Sequence, residues 1–132
     1  MHILEISSSL ENITQVESLI DKVCGDLLIN EDMYGNILIA VTEATNNAII
    51  HGNGRSKNKL VKVMVDKNGA ELVFSIEDQG NGFDYSQLPD PTAPENIERP
   101  DGRGIFLMKN LADKLEFLES GSKVNITFAI NG

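Results

Sequence analysis

The feature that most restricts the fold of this chain is a change in the spacing of its apolar residues near residue 54. Before that point they recur at steps of three and four: Ile13, Val16, Leu19, Ile20, Val23 and Leu27, then Ile37, Val41, Ala44 and Ala48. Such steps put side chains on one stripe of an α-helix. After it they recur at steps of two, Val61, Val63 and Val65, then Leu72, Phe74 and Ile76, on either side of Asn68-Gly69. That alternation around an Asn-Gly pair predicts a β-hairpin. Two one-sided helices followed by a one-sided hairpin bury their apolar surfaces against one another. The expected class is α/β in the α+β sense: a two-layer sandwich with helices on one face of a mixed, mostly antiparallel sheet.

Local signals fill in the order. Residues 2–7 read as a short strand, and Ser8 with Glu11 reads as a capping box that starts a helix ending near residue 28. Asn30 offers a second N-cap, with Glu31 and Asp32 in the first turn where the helix dipole favours acids. This second helix is expected to stop near His51-Gly52-Asn53-Gly54. All four prolines, Pro89, Pro91, Pro94 and Pro100, fall in a segment of about residues 79–103, and a loop of that length is usually functional. A helix from Gly104 to about Ala112 and two strands, about 113–119 and 122–130, complete the chain.

A length of 132 residues suits one domain, and no apolar run approaches the ~20 residues that cross a bilayer. Met1-His2-Ile3-Leu4-Glu5 has no basic segment leading into an apolar one, so no signal peptide is expected. The single Cys24 lies in an apolar helical stripe, which suits a small core residue and a reducing, cytoplasmic setting. Twenty acidic residues against 11 basic give a net charge of −9, which repels phosphate backbones and argues against direct binding of nucleic acid; no membrane partner is expected either.

Four segments carry candidate chemistry. In the run from Glu43 to Gly52, Glu43 and Asn47 are four apart and share a helix face, with His51 continuing the row. An amide oxygen is a hard ligand for Mg²⁺ and a carboxylate a possible base, although a solvated polar face has the same spacing, and spacing does not choose Asn47 over Asn46. In Glu77-Asp78-Gln79-Gly80-Asn81-Gly82, strand parity aims Asp78 inward with Leu72, Phe74 and Ile76. A carboxylate so placed needs a hydrogen-bond donor, and Gly80 and Gly82 let a flat ligand approach. An adenine amino group would supply that donor; a tight turn at a strand end is the competing explanation. In Asp101-Gly102-Arg103-Gly104, a glycine pair opening a helix presents free N–H groups to an anion, and Arg103 could add a charge; a loop-to-helix turn that needs glycine for its backbone angles is the competing explanation. Ser122, by the parity of Val124, Ile126 and Phe128, faces the Asp78 side. The two histidines and one cysteine suit no zinc site, and neither a P-loop nor a G-x-S-x-G elbow is present.

Taken together and in this order, these segments resemble the N box and three glycine boxes of the GHKL (Bergerat-fold) superfamily, which includes DNA gyrase, MutL and sensor histidine kinases. Thr45-Asn46-Asn47-Ala48-Ile49-Ile50-His51-Gly52 and Gly102-Arg103-Gly104-Ile105-Phe106-Leu107-Met108 look like the corresponding text of anti-sigma-factor serine kinases. The resemblance implies ATP and Mg²⁺, with Asn47 holding the metal and Glu43 as general base. It implies Asp78 at the adenine amino group, with Gly80 and Gly82 lining the base pocket and Ser122 standing where the family often has threonine. Gly102, Arg103 and Gly104 would bind phosphates under a lid of about residues 84–101. Further implied are serine phosphorylation of a STAS-type anti-sigma-factor antagonist, sequestration of a sigma factor, and a homodimer. A catalytically silent ATP-gated binding module is the alternative, and the catalytic domain of a histidine kinase is disfavoured because no dimerisation helix precedes the domain.

Overall fold

The computed structural model describes residues 1–54, 56, 58–80, 107–118 and 122–130. Strand β1 (His2–Ser7) leads through a 3₁₀ turn (Leu10–Asn12) into α1 (Ile13–Asp26) and α2 (Glu31–Asn47). A turn of π-helix (Ala48–Gly52) follows, then β2 (Leu60–Asn68) and β3 (Glu71–Glu77). Residues 107–111 are helical, and β4 (Lys114–Leu118) and β5 (Lys123–Ala129) finish the described chain.

The strands form one five-stranded sheet in the order β1-β2-β3-β5-β4. All four pairings are antiparallel, so the expected mixed sheet is antiparallel throughout its described strands. Register brings the alternating apolar residues into rows across the sheet. Val63 pairs with Ile76 and Ile76 with Val124, while Val65 pairs with Phe74 and Phe74 with Ile126. This face meets the stripes of both helices, Val16, Ile20 and Val23 from α1 and Ile37, Val41 and Ala44 from α2, in one buried cluster. Phe74 and Phe128 pack edge to face at its centre, with centroids 6.0 Å apart. The other face carries the alternate residues, among them Lys62, Asp66, Glu71 and Lys114, and a Glu71–Lys114 ion pair at 3.4 Å. Among the described residues no helix is long and apolar enough to cross a membrane.

Three local expectations are corrected. Ser8 does not cap a helix: it is buried, and its hydroxyl donates to the Lys59 carbonyl at 2.8 Å. The helix begins instead after the 3₁₀ turn, with no side-chain cap at Ser9 or Asn12. The first helix also ends at Asp26, two residues short of expectation. There Leu28 turns left-handed (φ 55°), Ile29 N–H bonds back to the Cys24 carbonyl at 3.0 Å and Leu28 N–H to that of Gly25 at 3.3 Å. This is a Schellman closure with leucine where glycine usually stands. Finally, Asn68 pairs with Glu71, so the hairpin turn is Gly69-Ala70, with Gly69 at φ 61° supplying the positive angle a two-residue turn requires.

Cys24 is buried in the core, where desolvation first and Asp21 second push its thiol up to about 11. A thiol held protonated behaves as a small apolar residue.

Candidate functional site

The C-terminal half of α2 crosses the ends of β3 and β5, and there its hydrogen bonding changes. Thr45 is fully buried but satisfies its hydroxyl on the Val41 carbonyl at 2.8 Å. Two residues later the α-helix gives way to the π turn, which closes where Asn53 N–H reaches the Ala48 carbonyl at 2.8 Å. π turns inserted in helices occur frequently at functional sites. His51 lies within this wider turn and is exposed, so it does not extend the row of Glu43 and Asn47 into a buried wall.

Opposite the turn, β3 ends at Glu77 and Asp78 follows on the core-facing parity. Asp78 is 8% exposed. Its N–H donates to the Ser122 carbonyl at 2.9 Å, and its carboxylate accepts the Gly80 N–H at 2.9 Å. Burial raises its pKa, and the Gly80 N–H partly offsets that; Glu77 raises it further and Lys59 lowers it. The carboxyl group rests on the backbone of Gly52, where a Cβ would fall inside it, and a Cβ on Gly80 would strike the Gly52 carbonyl. Glycine at both positions is therefore a steric requirement of the packing between the π turn and the end of β3.

Between these elements is a cleft of about 270 Å³. Ala44, Ala48, Ile76 and Val124 form apolar walls, completed by Met108 and Phe117. Its polar lining is Asn47, Asp78 and Ser122. The Asn47 Nδ2 is buried and has no hydrogen-bond partner among the described residues. An unmet amide of this kind costs about 1–3 kcal/mol. An apolar-walled cleft with an inward carboxylate and a spare amide offers an acceptor and a donor to a polar ligand group. No cluster of three or more His, Cys, Asp or Glu gathers among the described residues, so a cation here would take few protein ligands, as Mg²⁺ bound to phosphates and water does.

The site residues expected from sequence divide into three groups. Asn47, Asp78 and Ser122 come together at the cleft, and Asn46, the alternative that spacing left open, is not in its lining. Gly80 sits beside them through its contacts with Asp78 and Gly52. Glu43 stands one turn before Asn47 on α2, half-buried and outside the described lining. Gly82, Gly102, Arg103, Gly104 and the expected lid of about residues 84–101 lie outside the described residues. Sequence reasoning did not find Met108 and Phe117 as walls, nor Asn53, which it read only as a helix stop. A second, larger cleft of about 600 Å³ lies at the other end of α2, lined by Leu27, Leu28, Met33 and Lys67 among others.

Comparison with known proteins gives a consistent picture. Residues 6–128 match the family described as histidine kinase-like ATPase domain. An anti-sigma F factor of Clostridium kluyveri is 34% identical over 88 residues, 64% of this chain and 61% of that protein, so the alignment spans less than two thirds of the relative's length. The serine-protein kinase RsbW of Bacillus subtilis is 29% identical over 108 residues, covering 76% of this chain and 68% of that one. Among solved structures, the RsbU and RsbW domains of a Mycobacterium tuberculosis protein superpose with a TM-score of 0.61 at 14% identity, covering 99% of this chain and 32% of the other. The histidine kinase domain of a blue-light activated histidine kinase from Erythrobacter litoralis gives 0.55 at 19% identity, covering 95% of this chain and 62% of that one.

Proposed function

The chain belongs to the histidine kinase-like ATPase domain family, and on that premise we propose that it is an ATP-dependent protein serine kinase and anti-sigma factor of the cytoplasm. One observation carries the nucleotide part: a buried carboxylate, Asp78, and an unpaired buried amide, Asn47, line a single apolar slot. The partner part is supported by similarity to an anti-sigma F factor and to a serine-protein kinase. By that kinship the chain phosphorylates a serine of a STAS-type antagonist and holds a sigma factor when the antagonist is released. It acts as a homodimer of single ATPase domains with a lid over about residues 84–101.

ATP bound with Mg²⁺ supplies the phosphoryl group and the charge that offsets it. Asp78 accepts the adenine amino group, and Gly80 and Gly82 give the base room. Asn47 would hold the metal through its amide oxygen, and the metal would supply positive charge beside the phosphates. Gly102, Arg103 and Gly104 hold the phosphates, while Ser122 joins the Asp78 side of the pocket. Glu43 takes the proton of the attacking serine hydroxyl as its oxygen bonds to phosphorus and ADP departs.

The test pairs partner capture with one substitution. Protein recovered from its native lysate with Mg-ATP is expected to carry a sigma factor and a serine-phosphorylated STAS protein. Glu43→Gln is expected to lower phosphoryl transfer to that STAS protein about 10²–10⁴-fold while leaving ATP affinity unchanged. Intact ATP binding with no transfer by the parent protein to its captured partner would leave the alternative, an ATP-gated binding module.

A further inference from the structure

Asn53 is 3% exposed and follows the π turn directly. Its side chain spends its full set of donors on protein groups. Nδ2 donates to Ser8 Oγ at 2.8 Å and to the Leu60 carbonyl at 3.0 Å, and Oδ1 accepts the Gln79 backbone N–H at 2.7 Å. A backbone N–H only donates and a carbonyl only accepts, so this amide cannot be turned end for end. Ser8 Oγ in turn donates to the Lys59 carbonyl, which anchors the cluster at the start of β2.

Gln79 is the residue between Asp78 and Gly80. The three successive N–H groups from 78 to 80 go to the Ser122 carbonyl, the Asn53 side chain and the Asp78 carboxylate. Of the three, only the middle one depends on a side chain from another element. The backbone N–H of Asn53 also closes the π turn on Ala48, and that turn carries the Gly52 backbone on which the Asp78 carboxyl group rests. One residue thus holds both the strand end that bears the carboxylate and the surface beneath it.

We propose that Asn53 is a positioning residue for base recognition, which aims the Asp78 carboxylate so that the pocket selects a purine bearing a 6-amino group over one bearing a 6-oxo group. The inference rests on the ATP-binding assignment of this pocket. A carboxylate accepts from an amino group but opposes a carbonyl oxygen, and this choice depends steeply on angle and distance. Loss of aim therefore erodes selectivity more than it erodes affinity carried by phosphates.

Binding of ATP and of ITP, measured by calorimetry on the full chain, tests this. The two share ribose and phosphates and differ at the 6-position. The parent is expected to prefer ATP by at least about tenfold. In Asn53→Ala the preference is expected to fall to about twofold, with ITP affinity nearly unchanged. Partial unfolding lowers both apparent affinities by the same factor, so the ratio reports aim and not stability. Ser8→Ala, which removes one anchor and leaves the Gln79 contact, is expected to lower the preference by about threefold, and it serves if Asn53→Ala does not fold. An unchanged ratio in folded Asn53→Ala, or in Ser8→Ala where the former fails to fold, overturns the inference alone. A parent that binds ATP and ITP equally overturns the adenine assignment, and the inference with it.

Discussion

At the N-terminal end of α2, Asn30 caps the helix through the Met33 N–H at 2.8 Å, and Glu31 and Asp32 lie at the positive end of its dipole. At the C-terminal end the same helix widens, just after the unpaired amide of Asn47, into a π turn that abuts a buried acid. The first end contributes stability in the ordinary way, by giving exposed backbone groups their partners. The second forgoes stability, since a buried carboxyl group and an orphaned amide both disfavour the ligand-free fold. The cleft at the N-terminal end is the larger, yet none of the buried polar side chains of the described residues lines it. Unmet polarity, more than volume, distinguishes the two.

Substitutions at the two ends are expected to act on different observables. The largest expected effect is at Asp78. Asp78→Asn should weaken ATP binding by about 1–3 kcal/mol, read by calorimetry, because the amide loses the charge that strengthens the bond to the base. The same substitution should raise the melting temperature of the ligand-free protein at neutral pH. Asp78 has a raised pKa in the folded chain, so the fold binds its proton more readily than the unfolded chain does. Stability present at low pH is then lost as pH rises from the ordinary value of 3.8 through the raised one. The advantage of Asp78→Asn should accordingly shrink as pH falls toward 3.8, and an advantage independent of pH would refute the burial argument.

Next, Asn30→Ala should cost about 1 kcal/mol in chemical denaturation and leave ATP affinity untouched. A loss of ATP affinity there would mean that the two ends are coupled. Asn47→Ala should stabilise the ligand-free chain by up to about 1 kcal/mol, since it removes the unpaired amide and favours the helix, while Mg-ATP binding falls. The smallest effect is expected at Leu28, 89% exposed and left-handed. Leu28→Gly should raise stability by about 0.5 kcal/mol with no change in nucleotide binding, because it relieves a backbone angle that leucine tolerates poorly.

The parts of this molecule that could be read from the chain are those governed by its nearest neighbours in sequence. Period-two spacing placed the hairpin and aimed Asp78 inward, and Asn30 declared its cap. Leu28 escaped because nothing in a leucine signals φ 55°. Ser8 looked like a cap and became a buried bridge, since its partners lie 45 and 51 residues away. Asn53 was legible as a stop but not as a clamp, because its acceptor role toward Gln79 exists only once the helix end and the strand end meet. Spacing alone left Asn46 and Asn47 open and the family resemblance chose Asn47; in the structure it is Asn47, not Asn46, that lines the cleft.

The cluster of Ser8, Asn53 and Gln79 also bears on the order of assembly. It ties the end of β1, the exit of α2 and the end of β3, with partners separated by 26 to 51 residues. Closing such loops is slow relative to forming a helix or a hairpin, so these bonds form after the local elements. The cleft beside Asp78 is therefore expected to be among the last parts of the chain to mature. If the cleft holds ATP as proposed, a half-folded chain would offer the nucleotide no site, and bound nucleotide would hold the finished fold without steering the path to it.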